Sequence, residues 1–484
     1  MINSIKTALF ICILTSVAVA GNAQKPVVTN VKKPNVLMIC VDDLNDYIHG
    51  MGHPDAKTPN LDRLIKRGVT FSNAQTQSPL CGPSRSALMT GLRPSTTGIY
   101  GLISDNDVKN SNEATRNNIF LHQYFKNNGY YTMGAGKVFH NNIPDGLMDD
   151  QMPRDKGIIG PFPPQKMNYF LGRTDSDWGP YPEQDEEMPD YKVREWAVSK
   201  LDKKYTKPFF LSVGFFRPHV PWHVPQKWYN LYDPEKLHIP PYLKTDFDDL
   251  PAMALKVEST FMPSTEWALA NNQWRKMLQG YLASISFADH QIGKVLDALD
   301  NSPYAKNTII VLWSDHGFRM GEKNRFAKQC LWDRATKTPY MFAGPGIPQN
   351  VKIKAPVELF SLYPTLTDLC NLAPNKSIEA KSIYPLIKNP RLKWDFPTLT
   401  TWGRGNHGIR SGNYHYIRYI DGSEEFYNLK KDPNEWYNKS TDPKYATIKL
   451  RLKKYLPKIN AKWAPDTKYD GVEFFKQQKL DDMN

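Results

Sequence analysis

The residues best equipped for chemistry stand in one run, Leu80-Cys81-Gly82-Pro83-Ser84-Arg85-Ser86-Ala87-Leu88-Met89-Thr90-Gly91. Pro83 suits the first turn of a helix, where its missing N–H would have had no partner, and Gly91 suits the end of one. Cys81 then falls just ahead of a helix N-terminus. Free backbone N–H groups and the positive dipole end favour an anion there. Arg85, about one turn on, can point back toward the thiol. Two readings follow from these residues alone: an activated thiolate, or an inert buried cysteine beside a helix cap.

Other polar clusters each follow an apolar run. Val36 to Val41 leads into Asp42-Asp43, and the run at 130–135 leads into Gly136-Lys137-Val138-Phe139-His140. The run at 209–215 leads into Arg217-Pro218-His219, and that at 308–313 into Ser314-Asp315-His316-Gly317. Ligands of open α/β sheets bind beyond the carboxyl ends of the strands, so these clusters are expected to share one cleft. Adjacent Asp42 and Asp43 repel each other. A helix-capping role or a divalent cation relieves that repulsion, and Asp315-His316 at a second strand end favours the cation. Three carboxylates suit a hard ion, Ca²⁺ with Mg²⁺ as the alternative. Taken singly, Lys328 reads as a loop charge, His219 as a turn residue between prolines, and Lys137 as half of a structural ion pair.

These residues must be held by elements. The first two-thirds of the chain alternates short apolar runs with amphipathic segments, which predicts an α/β fold with a large, mostly parallel sheet flanked by helices. Val36 to Val41 is apolar throughout, as for a strand buried on both faces. Helices are expected from Thr58-Pro59 to Gly68, through Leu121 and Phe125 to Gly129, and from Trp274 to Leu299. Residues 141–190 and 232–265 read as ordered insertions over one end of the sheet. From about 395 the texture changes to short strands at Thr398–Trp402, Tyr414–Tyr419 and Glu425–Leu429, then a basic helix near Lys444–Tyr455. The expected division is a leader at 1–23, a catalytic domain at 24–394 and a small antiparallel C-terminal subdomain at 395–484.

Met1 to Lys6 is cationic, Thr7 to Ala20 mostly apolar, and small residues follow at cleavage spacing. That predicts an exported protein, periplasmic or secreted, with no later membrane span. Cys40, Cys81, Cys330 and Cys370 are scattered and form no metal-type pair; one disulfide is allowed and none is required. The net charge is +13. No compact basic block of nucleic-acid type is present, so the charge favours a sulfated or carboxylated glycan over DNA.

Cys-x-Pro-Ser-Arg-x-x-x-x-Thr-Gly, complete from Cys81 to Gly91, resembles the signature of the type I sulfatases. The similarity runs across almost the whole chain, through Thr58 to Leu64, Asp315-His316-Gly317, Tyr427-Asn428-Leu429 and Asp432 to Glu435. Val41 to Asp46 and Lys137-Val138-Phe139-His140 look most like the iduronate-2-sulfatase-like branch. The resemblance implies an alkaline-phosphatase-like fold and oxidation of Cys81 to Cα-formylglycine (3-oxoalanine) by a separate formylglycine-generating maturation enzyme. It implies a metal on Asp42, Asp43, Asp315, His316 and an oxygen of the modified Cys81. Arg85 would hold the formylglycine hydrate, and Lys137 and Lys328 would clamp sulfate. His219 would protonate the leaving oxygen and His140 would take the proton that expels sulfate, or the two would exchange roles. Trp402 could stack on a sugar or pack the subdomains, and Arg410 would meet a uronate carboxylate. Arg154, Arg173, Trp178, Trp222 and His223 are further pocket candidates. The implied substrate is a sulfated oligosaccharide or polysaccharide, from ulvan or another algal glycan or from a glycosaminoglycan. A phosphate or phosphonate monoester hydrolase of the same superfamily is the rival.

Overall fold

Strand β1 (Asn35–Val41) sends alternate side chains into two separate cores. Leu37, Ile39 and Val41 join one apolar cluster, while Val36, Met38 and Cys40 join another on the opposite face. A strand with no solvent face has no use for polar residues, which is why this run is apolar throughout. The computed structural model describes residues 33–153, 159–171, 176–469 and 471–483. The expected leader at 1–23, and Arg154 and Arg173, lie outside these residues.

Among the described residues the main sheet has nine strands. Besides β1 they are β2 (Gly68–Gln75), β3 (Tyr131–Gly136), β4 (Asp150–Gln151), β5 (Phe209–Phe215), β6 (Thr308–Ser314), β7 (Lys337–Ala343), β8 (Val351–Ile353) and β9 (Val357–Glu358). Their order is β4-β3-β5-β1-β6-β7-β2-β8, with β9 also on β2. Pairing is parallel except where β7 meets β6 and β2. Helices Pro189–Leu201 and Trp274–Asp300 cover one face. Helices Cys81–Thr90, Leu121–Asn127 and Leu362–Leu369 cover the other. The mostly parallel α/β architecture is therefore as expected, and the ends of β3, β5, β1 and β6 lie side by side.

The helix expected after Thr58 is α1 (Pro59–Arg67), with Leu61 and Leu64 buried. Gly68 does not end it in a left-handed turn. Its backbone is extended, and a Cβ there would strike the Phe342 carbonyl across the β2–β7 pair. The long helix buries Ile292, Val295, Leu296 and Leu299 as predicted.

The C-terminal region forms a separate antiparallel sheet of β10 (Thr398–Thr401), β11 (His407–Ser411), β12 (Tyr414–Arg418) and β13 (Glu424–Asn428). Strand β11 (His407–Ser411) is additional to the three strands expected in this region. No disulfide joins the four described cysteines. Among the described residues no helix is long and apolar enough to cross a membrane.

Candidate active site

The motif helix α2 (Cys81–Thr90) is buried along its whole length. Leu80 is extended and Cys81 is the first helical residue, one place further in than expected. Gly91 ends the helix at φ 68°, ψ 17°, with its N–H donating to Ala87, the left-handed cap that only glycine adopts freely. Ser84 Oγ donates to the Asp315 carbonyl at 2.6 Å and so ties α2 to the end of β6.

The four strand-end clusters meet around Cys81. Its Sγ lies 3.3 Å from His316 Nε2, 3.1 Å from Lys328 Nζ and 3.9 Å from Asp43 Oδ1. Potential ligand atoms of Asp42, Cys81, Asp315 and His316 all fall within 4.8 Å of one another, as do those of Asp42, Asp43, Cys81 and His219. His316 Nδ1 faces the Gly317 carbonyl at 3.0 Å, so its proton belongs there and Nε2 is left as a lone pair toward the cluster. Asp43 Oδ2 is buried without a hydrogen-bond partner. An orphaned carboxylate oxygen beside two further carboxylates is what a bound divalent cation would satisfy.

Arg85 turns back as expected, but its guanidinium is committed to carboxylates. Nε meets Asp315 at 2.9 Å, a terminal nitrogen meets Asp42 at 3.1 Å, and the other donates to the Lys137 and Val138 carbonyls. Lys137 Nζ pairs with Asp42, and Lys328 Nζ lies 2.5 Å from Asp43 Oδ1. Burial raises the Asp42 carboxyl, yet Lys137, His219 and Arg85 outweigh it and hold the group well below the usual range. Burial pushes the Cys81 thiol far up and Asp42 adds to this, against Lys328. Burial, with Asp42 adding to it, thus favours the thiol over a thiolate at an unmodified Cys81, against the activated-thiolate reading. Burial brings His219 down to about 4 against the pull of Asp43. His140 is lowered well below its ordinary value by burial and by Lys137.

Local geometry explains how these groups are aimed. Gly136, at φ 69°, leaves no room for a Cβ against the Gly214 carbonyl, and Lys137 N–H donates to that same carbonyl at 2.9 Å. The tight turn sends Lys137 inward. His140 follows on a loop whose N–H groups at His140, Asn141 and Asn142 all donate to Asp105. Asp43 sits at φ 61°, a costly conformation for a non-glycine residue. Asp315 accepts its N–H at 3.2 Å and Tyr281 donates to its carbonyl at 2.7 Å. His219 Nδ1 donates to the Val220 carbonyl at 2.6 Å, leaving Nε2 for the cluster.

Several expected pocket residues are elsewhere. Trp402 is 0% exposed; its indole N–H donates to the Val257 carbonyl, and its ring packs edge-on against Tyr469 and Phe475. It offers no face to a sugar, so the packing alternative holds. Arg410 is bound by Asp333 at 3.1 Å and by the Gly412 carbonyl at 2.6 Å. These contacts engage Nε and one terminal nitrogen of the guanidinium within the protein. Trp178 and Trp222 are buried against each other, and His223 is held between Gly179 and Asp177.

Tyr281, Asp105 and Arg319 were missed. Buried Arg319 donates to the Lys323, Ala327 and Lys328 carbonyls and pairs with Glu258 at 2.8 Å, so it fixes the loop that carries Lys328. Tyr281 lies on the buried face of a long helix and reads as core; no spacing marks any of the three.

A family model described as Sulfatase matches residues 34–372, and one described as N-sulphoglucosamine sulphohydrolase, C-terminal, matches residues 321–462. The chain is 49% identical to a sulfatase of Formosa agariphila, over 97% of this chain and 95% of that protein. It is 32% identical to human iduronate 2-sulfatase, over 74% of this chain and 73% of that protein. The solved structure of a 2-O GAG sulfatase matches with a TM-score of 0.68 at 23% identity, covering 93% of each chain.

Proposed function

The chain belongs to the sulfatase family of sulfuric ester hydrolases, and on that premise we propose that it cleaves sulfate esters of a sulfated carbohydrate through a formylglycine made from Cys81. The observation that carries the reading is the setting of Cys81. Its side chain is a buried thiol of poor reactivity, yet it is ringed by three carboxylates, two lysines and imidazoles. A cysteine as such has little to do there; an aldehyde hydrate has.

Asp42, Asp43, Asp315, His316 and an oxygen of the modified Cys81 would hold a divalent cation. The largely oxygen donor set favours Ca²⁺, with Mg²⁺ as the alternative. That ion supplies Lewis-acid charge to a sulfate oxygen. Arg85 braces Asp42 and Asp315 and lends its charge to the hydrate's developing alkoxide. Lys137 and Lys328, within reach of the same space, bind sulfate oxygens as point charges. One hydroxyl of the hydrate attacks sulfur as its proton passes to Asp315, whose carboxyl burial raises, and the bond from sulfur to the sugar oxygen breaks. The negative charge of the bound sulfate ester offsets the burial that lowers His219, so that its imidazolium gives a proton to the departing sugar oxygen; His140 takes the proton of the second hydroxyl as sulfate leaves, and water rehydrates the aldehyde that returns. The three carboxylates are matched by Arg85, Lys137 and Lys328, so a divalent cation bound there would add net positive charge for an anionic ester.

The iduronate 2-sulfatase relative supports a sugar sulfate as substrate. The wider range is an oligosaccharide from ulvan, another algal glycan or a glycosaminoglycan. We further take residues 24–394 as the catalytic domain and 395–484 as the subdomain, and the product as exported to the periplasm or beyond.

Mass analysis of the peptide containing Cys81, from a host that carries a maturation enzyme, tests the core of this. Conversion of the thiol to the aldehyde and turnover of 4-nitrophenyl sulfate are expected together. Turnover by protein whose Cys81 is wholly unmodified would overturn the mechanism, and a strong preference for 4-nitrophenyl phosphate would overturn the sulfate-ester reading.

A further inference from the structure

A groove lies beyond the far end of α2 from Cys81. Three adjoining cavities of about 320, 120 and 520 Å³ share Tyr455 and Pro397 in their walls. Arg93, two residues past Gly91, lines the first two. Ten helical residues at 1.5 Å rise put this groove roughly 15 Å from Cys81. None of the residues assigned above to the active site lines it.

Its walls combine two chemistries. Trp394 and Phe396 meet edge to face at 4.8 Å, and Phe396 and Tyr455 are each 47% exposed. Lys381 Nζ stands 4.2 Å above the Phe396 ring. The acids are already engaged. Glu358 binds Arg93 through both oxygens, Glu379 accepts from the Arg93 N–H and the Thr96 hydroxyl, and Asp395 pairs with Lys393. Three exposed cations, Lys458, Lys381 and Arg451, have no carboxylate partner among the described residues, and one lines each successive cavity. Aromatic faces with cations repeated along a groove match a chain whose rings present C–H faces and whose negative charges recur. The cations line three successive hollows, which suits a chain laid along them more than a flat membrane surface.

We propose that this groove is a second binding site, which holds a stretch of sulfated polysaccharide away from the active site. Pyranose faces lie on Tyr455 and Phe396, and sulfate groups meet Lys458, Lys381 and Arg451. The choice of ligand rests on the sulfated-carbohydrate reading above.

The test uses the full chain carrying Cys81→Ala, run through native gels containing ulvan, ι-carrageenan or heparin, with polygalacturonate as the carboxylated control. At least one sulfated polymer retards this protein more than the control does. Tyr455→Ala, which removes no charge, weakens that binding about 5–10-fold. Arg451→Ala with Lys458→Ala weakens it further, and salt weakens it in all forms. The same substitutions in matured enzyme leave turnover of 4-nitrophenyl sulfate unchanged. The proposal is overturned if no sulfated polymer retards the protein, if polygalacturonate retards it equally, or if the groove variants bind like their parent. It is also overturned if those variants lose only binding to phosphatidylglycerol vesicles. Because the binding protein lacks Cys81, a failure of sulfate-ester turnover by matured enzyme counts against the proposed reaction and leaves this comparison readable.

Discussion

On the proposed mechanism, His219 and His140 would be distinguished by the leaving group each serves. A nitrophenolate departs without a proton, whereas a sugar alkoxide needs one. If His219 is the acid, His219→Ala costs about 10²–10⁴-fold on a sugar sulfate and much less on 4-nitrophenyl sulfate. His140→Ala slows both substrates alike, since it acts after the leaving group has gone. The opposite pattern exchanges the two roles. Much of this site was legible as residue types: Asp42-Asp43, Lys137 and Asp315-His316 each stand where an apolar run stops. The groups that aim them were not. Tyr281 meets Asp43 across 238 residues of sequence, and Asp105 reaches the His140 loop only through backbone N–H groups. Contacts of that kind leave no local pattern. A tryptophan and an arginine look the same in sequence whether they face a sugar or a core, so the burial of Trp402 and the Asp333 partner of Arg410 were not legible there.

At the scale of elements, the loop that carries Lys328 depends on Arg319. Arg319→Met removes a buried ion pair and three carbonyl contacts, and a loss of about 3–5 kcal/mol in stability is expected from urea unfolding. A purely structural role would end there. If Arg319 positions Lys328, the double variant with Lys328→Met is scarcely slower than Lys328→Met alone, and the two losses do not add. Full additivity in kcat/KM would show that Arg319 does not act through Lys328. The same scale explains what the sequence hid. Strands β1, β5 and β6 are buried on both faces and announce themselves as apolar runs. Strand β2 carries Ser72 and Asn73 at an irregularity in its pairing with β7, and β11 is a short interior strand around Gly408, paired with β10 and β12. Both look like loop until their neighbours are known. The C-terminal sheet also reaches the motif: the Thr400 hydroxyl donates to the Thr76 carbonyl and the Thr401 N–H to that of Gln77, just ahead of α2.

At the scale of the molecule, buried imidazoles contribute to the response to acid. His122 packs against Phe139 and Phe210, with Nε2 at 2.8 Å from Ser212 Oγ, and burial lowers its pKa to about 3. Burial likewise brings His407 down to about 4. An unfolded histidine titrates near 6.5, so between these values the unfolded chain holds the extra proton. The stability these groups contribute is present above about pH 6.5 and is lost as pH falls, by up to about 1.4 kcal/mol per unit for each group. His122→Leu with Ser212→Ala should flatten the fall in Tm between pH 6 and pH 4; an unchanged slope would assign acid sensitivity to other groups.

The burial of α2 also fixes an order of events in biogenesis. Cys81 is 2% exposed and every residue of its helix is buried. On the proposed chemistry, a second protein cannot reach that side chain once the chain has folded. Modification then has to run ahead of folding, and each molecule has a single window for activation. A folded pool that missed it should stay inert when the maturation enzyme is added. The same chain, unfolded and exposed to that enzyme before refolding, should gain both the altered peptide mass and activity.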